Sequence, residues 1–311
     1  MHLVRVLRRS TKVAVTGLAV VLAVYVGTST LGAAALMQIP RLPLVGSPAS
    51  VGLTFQDVAF ASRVDGVPLK GWFIPALGDS VLVIVHGGFQ NRVDPTVDTL
   101  DLARDLVHEG YDLLLFDLRG RGESGGKGRS LSNIDEDIGG AIDYLKSRGY
   151  PTGKIGIIGY CSGAASACLF ASRERIGGLV LDGCFTSVKD MVYNQASIRG
   201  IPRLPVDVFL PGLELAAKVF YGYEAVNPVD VVRNVQCPVL FIHEEDDDLI
   251  STVDDVKLTD TSGNPTNMLW EVDGTVHSKA YQAYPVEYVA KVSEFFRAAL
   301  MTTGQAGMFS Q

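Results

Sequence analysis

The sequence predicts an α/β domain: a mostly parallel sheet with helices on both faces, a small cap inserted over the strand ends, and an apolar helix in front. Three observations predict it. Short β-branched runs alternate with amphipathic stretches from Val81 to Leu300, the pattern of parallel strands joined by covering helices. Those runs are continuously apolar, as strands buried on both faces must be. A glycine-flanked pentapeptide, Gly159-Tyr160-Cys161-Ser162-Gly163, joins one such run to a helix.

The chain opens with Arg5, Arg8, Arg9 and Lys12, followed by an apolar run from Val13 to Met37. About 20 apolar residues cross a bilayer as a helix, so residues 1–37 are expected to form a basic N-terminus and a single-pass membrane anchor. The cationic flank stays in the cytoplasm, which puts the remainder on the extracytoplasmic side. The alternative is a secretory signal cleaved near Ala33-Ala34-Ala35, releasing the protein from the cell. Residues 38–54, with Pro40, Pro43 and Pro48, read as a linker.

Residues 55–300 carry the domain itself. Phe55 to Ser62 and Leu69 to Ile74 flank Asp65-Gly66, a hairpin signal. Val81 to Val85 is a buried strand that ends in His86-Gly87-Gly88-Phe89. Thr99 to Glu109 places Leu100, Ala103, Leu106 and Val107 on one helical side and stops at Gly110. Leu113 to Asp117 is the next strand, Ile134 to Arg148 a helix, and Lys154 to Ile158 the strand entering the pentapeptide. Gly178 to Asp182, Val239 to His243 and Met268 to Val272 complete the strands, and Tyr288 to Leu300 is a closing helix. Residues 184–236 break the alternation and carry Pro202, Pro205, Pro211 and Pro228. They are expected to form a cap over the strand ends, with a short helix from Leu213 to Tyr221 and Phe209, Leu210, Leu213, Phe220 and Tyr221 lining an apolar pocket. Residues 301–311 are a tail.

Charge and cysteine content exclude several function classes. Five of the 27 basic residues and none of the 34 acidic ones lie in the first 50 positions. The rest is therefore acidic, which argues against a nucleic-acid partner. Cys161, Cys168, Cys184 and Cys237 lack metal-site spacing; Cys168 and Cys237 read as small buried hydrophobes. The acidic run Glu244-Glu245-Asp246-Asp247-Asp248 does not match a calcium loop.

A strand, a tight glycine-flanked turn and a helix form the setting of a nucleophile elbow. Together with His86-Gly87-Gly88, Asp117-Leu118-Arg119-Gly120-Arg121-Gly122-Glu123-Ser124, the acidic loop and Gly274-Thr275-Val276-His277-Ser278, the pentapeptide resembles the α/β-hydrolase superfamily, in particular its serine-aminopeptidase-like and Bem46-like branch. Cysteine at the apex, in place of serine, is similar to dienelactone-hydrolase-like enzymes. The resemblance implies the chain order nucleophile, acid, histidine: Cys161, Asp247 (Asp246 as the alternative) and His277. It also implies an oxyanion hole from the backbone N–H groups of Gly88 (or Phe89) and Ser162. Glu244 stands where the family usually has glycine. The function implied is hydrolysis of a small ester or thioester through an acyl-enzyme, with no cofactor. Acyl transfer on the same scaffold, or a binding role without catalysis, are the alternatives. Cys161 and Cys184 fall at neighbouring strand ends, where an oxidising compartment could join them as a disulfide.

Overall fold

A computed structural model describes residues 2–128, 133–223 and 225–305; positions 306–311 of the expected tail lie outside them. An N-terminal helix, α1 (His2–Met37), precedes an eight-stranded sheet. The strands are β1 (Gln56–Ala61), β2 (Pro68–Ile74), β3 (Val81–Val85), β4 (Asp112–Phe116), β5 (Ile155–Tyr160), β6 (Gly178–Asp182), β7 (Val239–Glu244) and β8 (Met268–Val272). Their spatial order is β1-β2-β4-β3-β5-β6-β7-β8. The hairpin β1–β2 is antiparallel and β2 joins β4 antiparallel. Every later pair is parallel.

The central strands β3 to β7 are buried at every position, as expected of runs with no polar alternation. Their side chains divide between two cores. On one face Val81, Val83 and Val85 meet α3 (Ile134–Ser147) and α4 (Ser162–Ala171). On the other, Leu82 and Ile84 meet α2 (Thr99–His108) and α10 (Pro285–Gln305), through Leu102, Leu106, Val292 and Phe296. The parallel arrangement brings the C-terminal ends of β5, β6, β7 and β8 to one edge, where open α/β sheets bind ligands.

The region between β6 and β7 holds α5 (Val188–Ile198), α6 (Arg203–Tyr221) and α7 (Pro228–Val231). Helix α6 is ten residues longer at its N-terminus than the expected Leu213–Tyr221. Pro205 falls in its first turn, where no intrahelical N–H is needed, and the helix also continues through Pro211. The apolar cap residues do not converge on a pocket. Phe209 stacks on Tyr25 of α1 with ring centroids 5.5 Å apart, Leu213 packs beside Ala33, Met37, Ala216 and Ala217, and Phe220 is exposed. Two further helices, α8 (Thr252–Ser262) and α9 (Ala280–Ala283), flank β8.

Residues 38–54 are not a free tether. The Arg41 guanidinium donates to the carbonyls of Gly122 (2.8 Å) and Ser124 (2.6 Å). Asn91 donates to the carbonyls of Leu42 and Pro43, and Ile39 N–H bonds to Gly128 O. The segment is thus pinned to the loop that follows β4.

Candidate active site

The turn after β5 places Cys161 at φ 52°, ψ −117°, a conformation that L side chains adopt only when the surroundings impose it. Two clamps impose it here. Cys161 N–H donates to Asp182 O at the end of β6 (2.9 Å), and Cys161 O accepts from Ala165 N–H in α4 (3.1 Å). The flanking glycines are required by close approach. A Cβ on Gly163 would lie 2.5 Å from the carbonyl oxygens of His86 and Val85, and one on Gly159 would lie 2.7 Å from the Ala164 backbone. Cys161 is partly exposed at the N-cap of α4, whereas Cys168, Cys184 and Cys237 are buried. No disulfide joins Cys161 to Cys184; the Cys184 thiol is directed to Phe185 O at 3.7 Å.

The acidic loop and the loop after β8 meet at this edge. His277 Nδ1 lies 2.6 Å from Asp247 Oδ2. The other carboxylate oxygen of Asp247 accepts the N–H groups of Leu249 (2.7 Å) and Ile250 (2.9 Å), which fixes its orientation. Asp247 is buried, whereas Glu245, Asp246 and Asp248 are exposed, so geometry selects Asp247 over Asp246 as the partner of His277. The Nε2 atom of the ring is buried and makes no hydrogen bond, and the Cys161 sulfur lies near the imidazole. Burial opposes protonation of His277. The Cys161 sulfur and the Asp247 carboxylate outweigh that penalty and lift the imidazole to about 11.

The turn after β3 passes directly over the elbow: a Cβ on Gly87 would lie 3.8 Å from Cys161 Cβ. His86 braces that turn. Its Nε2 accepts Leu118 N–H and its Nδ1 donates to Gly87 O (2.8 Å), while burial, reinforced by Arg121, lowers it to about 3 and keeps it neutral. Buried Arg121 donates from Nε and Nη2 to Gly88 O. A trans peptide directs C=O and N–H oppositely, so Arg121 fixes the aim of Phe89 N–H. Among the described residues, the backbone N–H groups of Gly88, Phe89 and Ser162 reach no backbone acceptor. Asp117 accepts the Arg92 and Glu123 N–H groups, each at 2.8 Å, tying the β3 and β4 loops together.

Three contributors escape the sequence reading. Gly183, at φ 61°, forms the floor beneath His277: a Cβ there would sit 2.9 Å from Cε1 and 3.1 Å from Nδ1 of the ring. Its only sequence signal is its position directly after β6. Asp182 and Glu244, at the ends of β6 and β7, are a fully buried carboxyl pair. Burial drives both upward, Asp182 to about 7; the neighbouring Asp182 raises Glu244 further, whereas a hydrogen bond from Glu244 eases Asp182 downward. Tyr288 donates to Asp182 (3.0 Å) and pairs with Tyr160 (2.9 Å). Glu244 in place of the family's glycine was the one visible hint. Among the described residues no cluster of His, Cys, Asp and Glu is arranged to hold a metal ion.

The architecture and this edge define the α/β-hydrolase fold. Residues 80–205 match the family described as alpha/beta hydrolase fold. The chain is 29% identical over 237 residues to the uncharacterized protein YqkD of Bacillus subtilis, covering 74% of this chain and 75% of that one. It is 27% identical over 189 residues to the lysophosphatidylserine lipase ABHD12 of Xenopus tropicalis, covering 58% of this chain and about half (46%) of the lipase. Among solved structures it superposes on the Pyrococcus furiosus esterase Pf2001 with a TM-score of 0.72 at 22% identity, covering 85% of this chain and 98% of the esterase.

Proposed function

We propose that the protein is a membrane-anchored hydrolase that cleaves an ester or thioester through a Cys161–His277–Asp247 triad. The observation that carries the reading is the 2.6 Å Asp247–His277 contact, with Cys161 held near the same ring on its strained turn. The esterase and lipase neighbours support an ester-like substrate. The Cys161 thiolate attacks the substrate carbonyl carbon, and the carbonyl oxygen becomes an oxyanion received by the N–H groups of Ser162 and of Gly88 or Phe89. The C–O or C–S bond then breaks, and the His277 imidazolium protonates the departing alcohol or thiol. Water attacks the acyl-cysteine, His277 takes its proton, and a carboxylic acid leaves with Cys161 regenerated. Asp247 holds the ring in register and stabilises its charge throughout.

In the same reading α1 stays attached and the domain lies on the extracytoplasmic side. Its Thr11–Met37 segment is long and apolar enough to cross a bilayer, and Arg5, Arg8, Arg9 and Lys12 mark its cytoplasmic end. The test uses p-nitrophenyl esters and thioesters with the wild type, Cys161→Ala and His277→Ala. Both variants are expected to lose about 10³-fold or more in kcat, and alkylation of Cys161 at pH 7 is expected to slow in His277→Ala. Turnover unchanged in Cys161→Ala would refute the nucleophile, and a burst without turnover would indicate acyl transfer instead. Intact mass of the mature chain distinguishes retention of α1 from cleavage.

A further inference from the structure

Helix α6 divides into three sectors. One packs on α1 in parallel: Phe209 on Tyr25, Gly212 on Ser29, and Ala216 and Ala217 near Ala33 and Met37. A second is polar. Arg203 and Asp207 form an i,i+4 pair at 3.8 Å, and both engage Tyr193 of α5. The third carries Leu204, Val208, Leu215 and Val219, which fall within about 60° of one another at 100° per residue. They are 72%, 50%, 63% and 65% exposed. This stripe borders the α1 contact and continues the apolar exterior of α1, where Leu18, Val21, Leu22 and Leu31 are also exposed.

The length of α1 that the domain leaves uncovered identifies what covers the stripe. Thr11 to Val24 is exposed on every side, and burial begins at Tyr25. Fourteen residues rise only about 21 Å, short of the roughly 30 Å hydrocarbon core. Lys12 already stands at the cytoplasmic edge of that span, and extending it further toward the N-terminus would draw in Arg9 and Arg8, at high cost. The missing ~10 Å must therefore come from Tyr25–Leu31, the segment on which α6 is seated. An amphipathic helix inserts to a comparable depth.

We propose that the Leu204, Val208 and Leu215 part of this α6 face is immersed in the acyl chains of the bilayer that α1 crosses, with Val219 at the bilayer surface, and that the cap receives its ester or thioester substrate from that leaflet. The proposal rests on the anchored reading given above. It deepens that reading by naming the substrate class as lipid-borne acyl compounds. The cap joins the membrane face to the site by direct contact: α6 meets α5 through Tyr193, and Asn194 of α5 donates to Leu249 O (2.8 Å), two residues from Asp247. A second copy of the chain is the rival occupant, but the stripe is wholly aliphatic, without the aromatic and arginine anchors that protein interfaces favour.

The test reconstitutes the full chain in phosphatidylcholine vesicles whose acyl chains carry bromine and reads tryptophan quenching in Val208→Trp, with Val21→Trp as the reference for α1. Quenching at both positions above the wild-type background is expected. Quenching at Val21→Trp alone overturns the immersion of α6 while leaving the anchor intact. Quenching at neither overturns the anchor and the proposal together. Loss of quenching with a cross-linked dimer through this face assigns it to a second copy and overturns the bilayer. In activity, Val208→Lys/Leu215→Lys is expected to lose about tenfold on a long-chain ester presented in vesicles, with a soluble short-chain ester turned over as before. Equal loss on both substrates would overturn delivery from the leaflet.

Discussion

At the scale of single residues, the proposed triad depends on groups that would carry none of its chemistry. Gly183 holds the imidazole by having no side chain. Gly183→Ala would drive a methyl group into the ring at 2.9 Å and also place alanine at φ 61°, so His277 must shift. A displacement of about 1 Å in a catalytic group can cost 10²-fold. We therefore expect kcat of Gly183→Ala to fall by about that factor while Cys161 itself remains in place. The check is esterase turnover set beside the melting temperature; unchanged turnover would show that the ring does not depend on this floor. Beyond its place after β6, nothing in the sequence distinguishes Gly183 from the other glycines, because its importance arises only when the β6 and β8 loops meet. Asp247 was legible to the extent that an orienting acid was expected in its loop. Burial then separated it from Asp246, a distinction that five adjacent carboxylates hide.

At the scale of elements, strands were more legible than helices. The bounds of β3, β6 and β8 fall where the sequence runs do; for β3 and β6 this is because a fully buried strand must be apolar throughout. The first half of α6 was hidden because Pro205 and Pro211 read as breakers when the tertiary contact that tolerates them is not in view. For α6 that contact is α1, and it is close: a Cβ on Gly212 would lie 2.3 Å from Ser29 Oγ and 2.9 Å from the Tyr25 ring. Gly212→Leu is expected to pry α6 from α1 and expose the cap to limited proteolysis. The sheet shares no contact with that position, so its unfolding transition should move by less than about 0.5 kcal/mol. Cleavage within 188–221 read by mass spectrometry checks the first expectation, and denaturant unfolding the second.

At the scale of the whole molecule, buried acids set the pH response. Asp182 and Glu244 hold protons in the folded state that the unfolded chain releases near pH 4. Their contribution to stability is therefore complete below that value and is lost as pH rises, for Asp182 through about 7. His277 adds to the same trend at higher pH, since its stabilisation is complete below 6.5 and is lost toward about 11. Glu244→Gln supplies a neutral amide where Glu244 needs a proton. The melting temperature of this variant is expected to fall less between pH 5 and pH 8 than that of the wild type, by about 2–4 °C. Equal slopes would refute the account of Glu244 as a buried, protonated acid. This pair was not legible, for each acid ends its own strand, 62 positions apart in sequence, and only the β6–β7 pairing brings them together.

The anchorage of Arg41 changes what the N-terminal segment is mechanically. Its guanidinium grips the loop that contains Arg121, and Arg121 in turn fixes the Gly88 carbonyl. On the anchored reading, the domain is bolted to its span at the point where the span ends. A leash would let the enzyme swing through a hemisphere and meet dissolved substrates from any side. A bolted mount gives it one orientation and one height, so its reach is two-dimensional: it can patrol the sheet of lipid in which it stands.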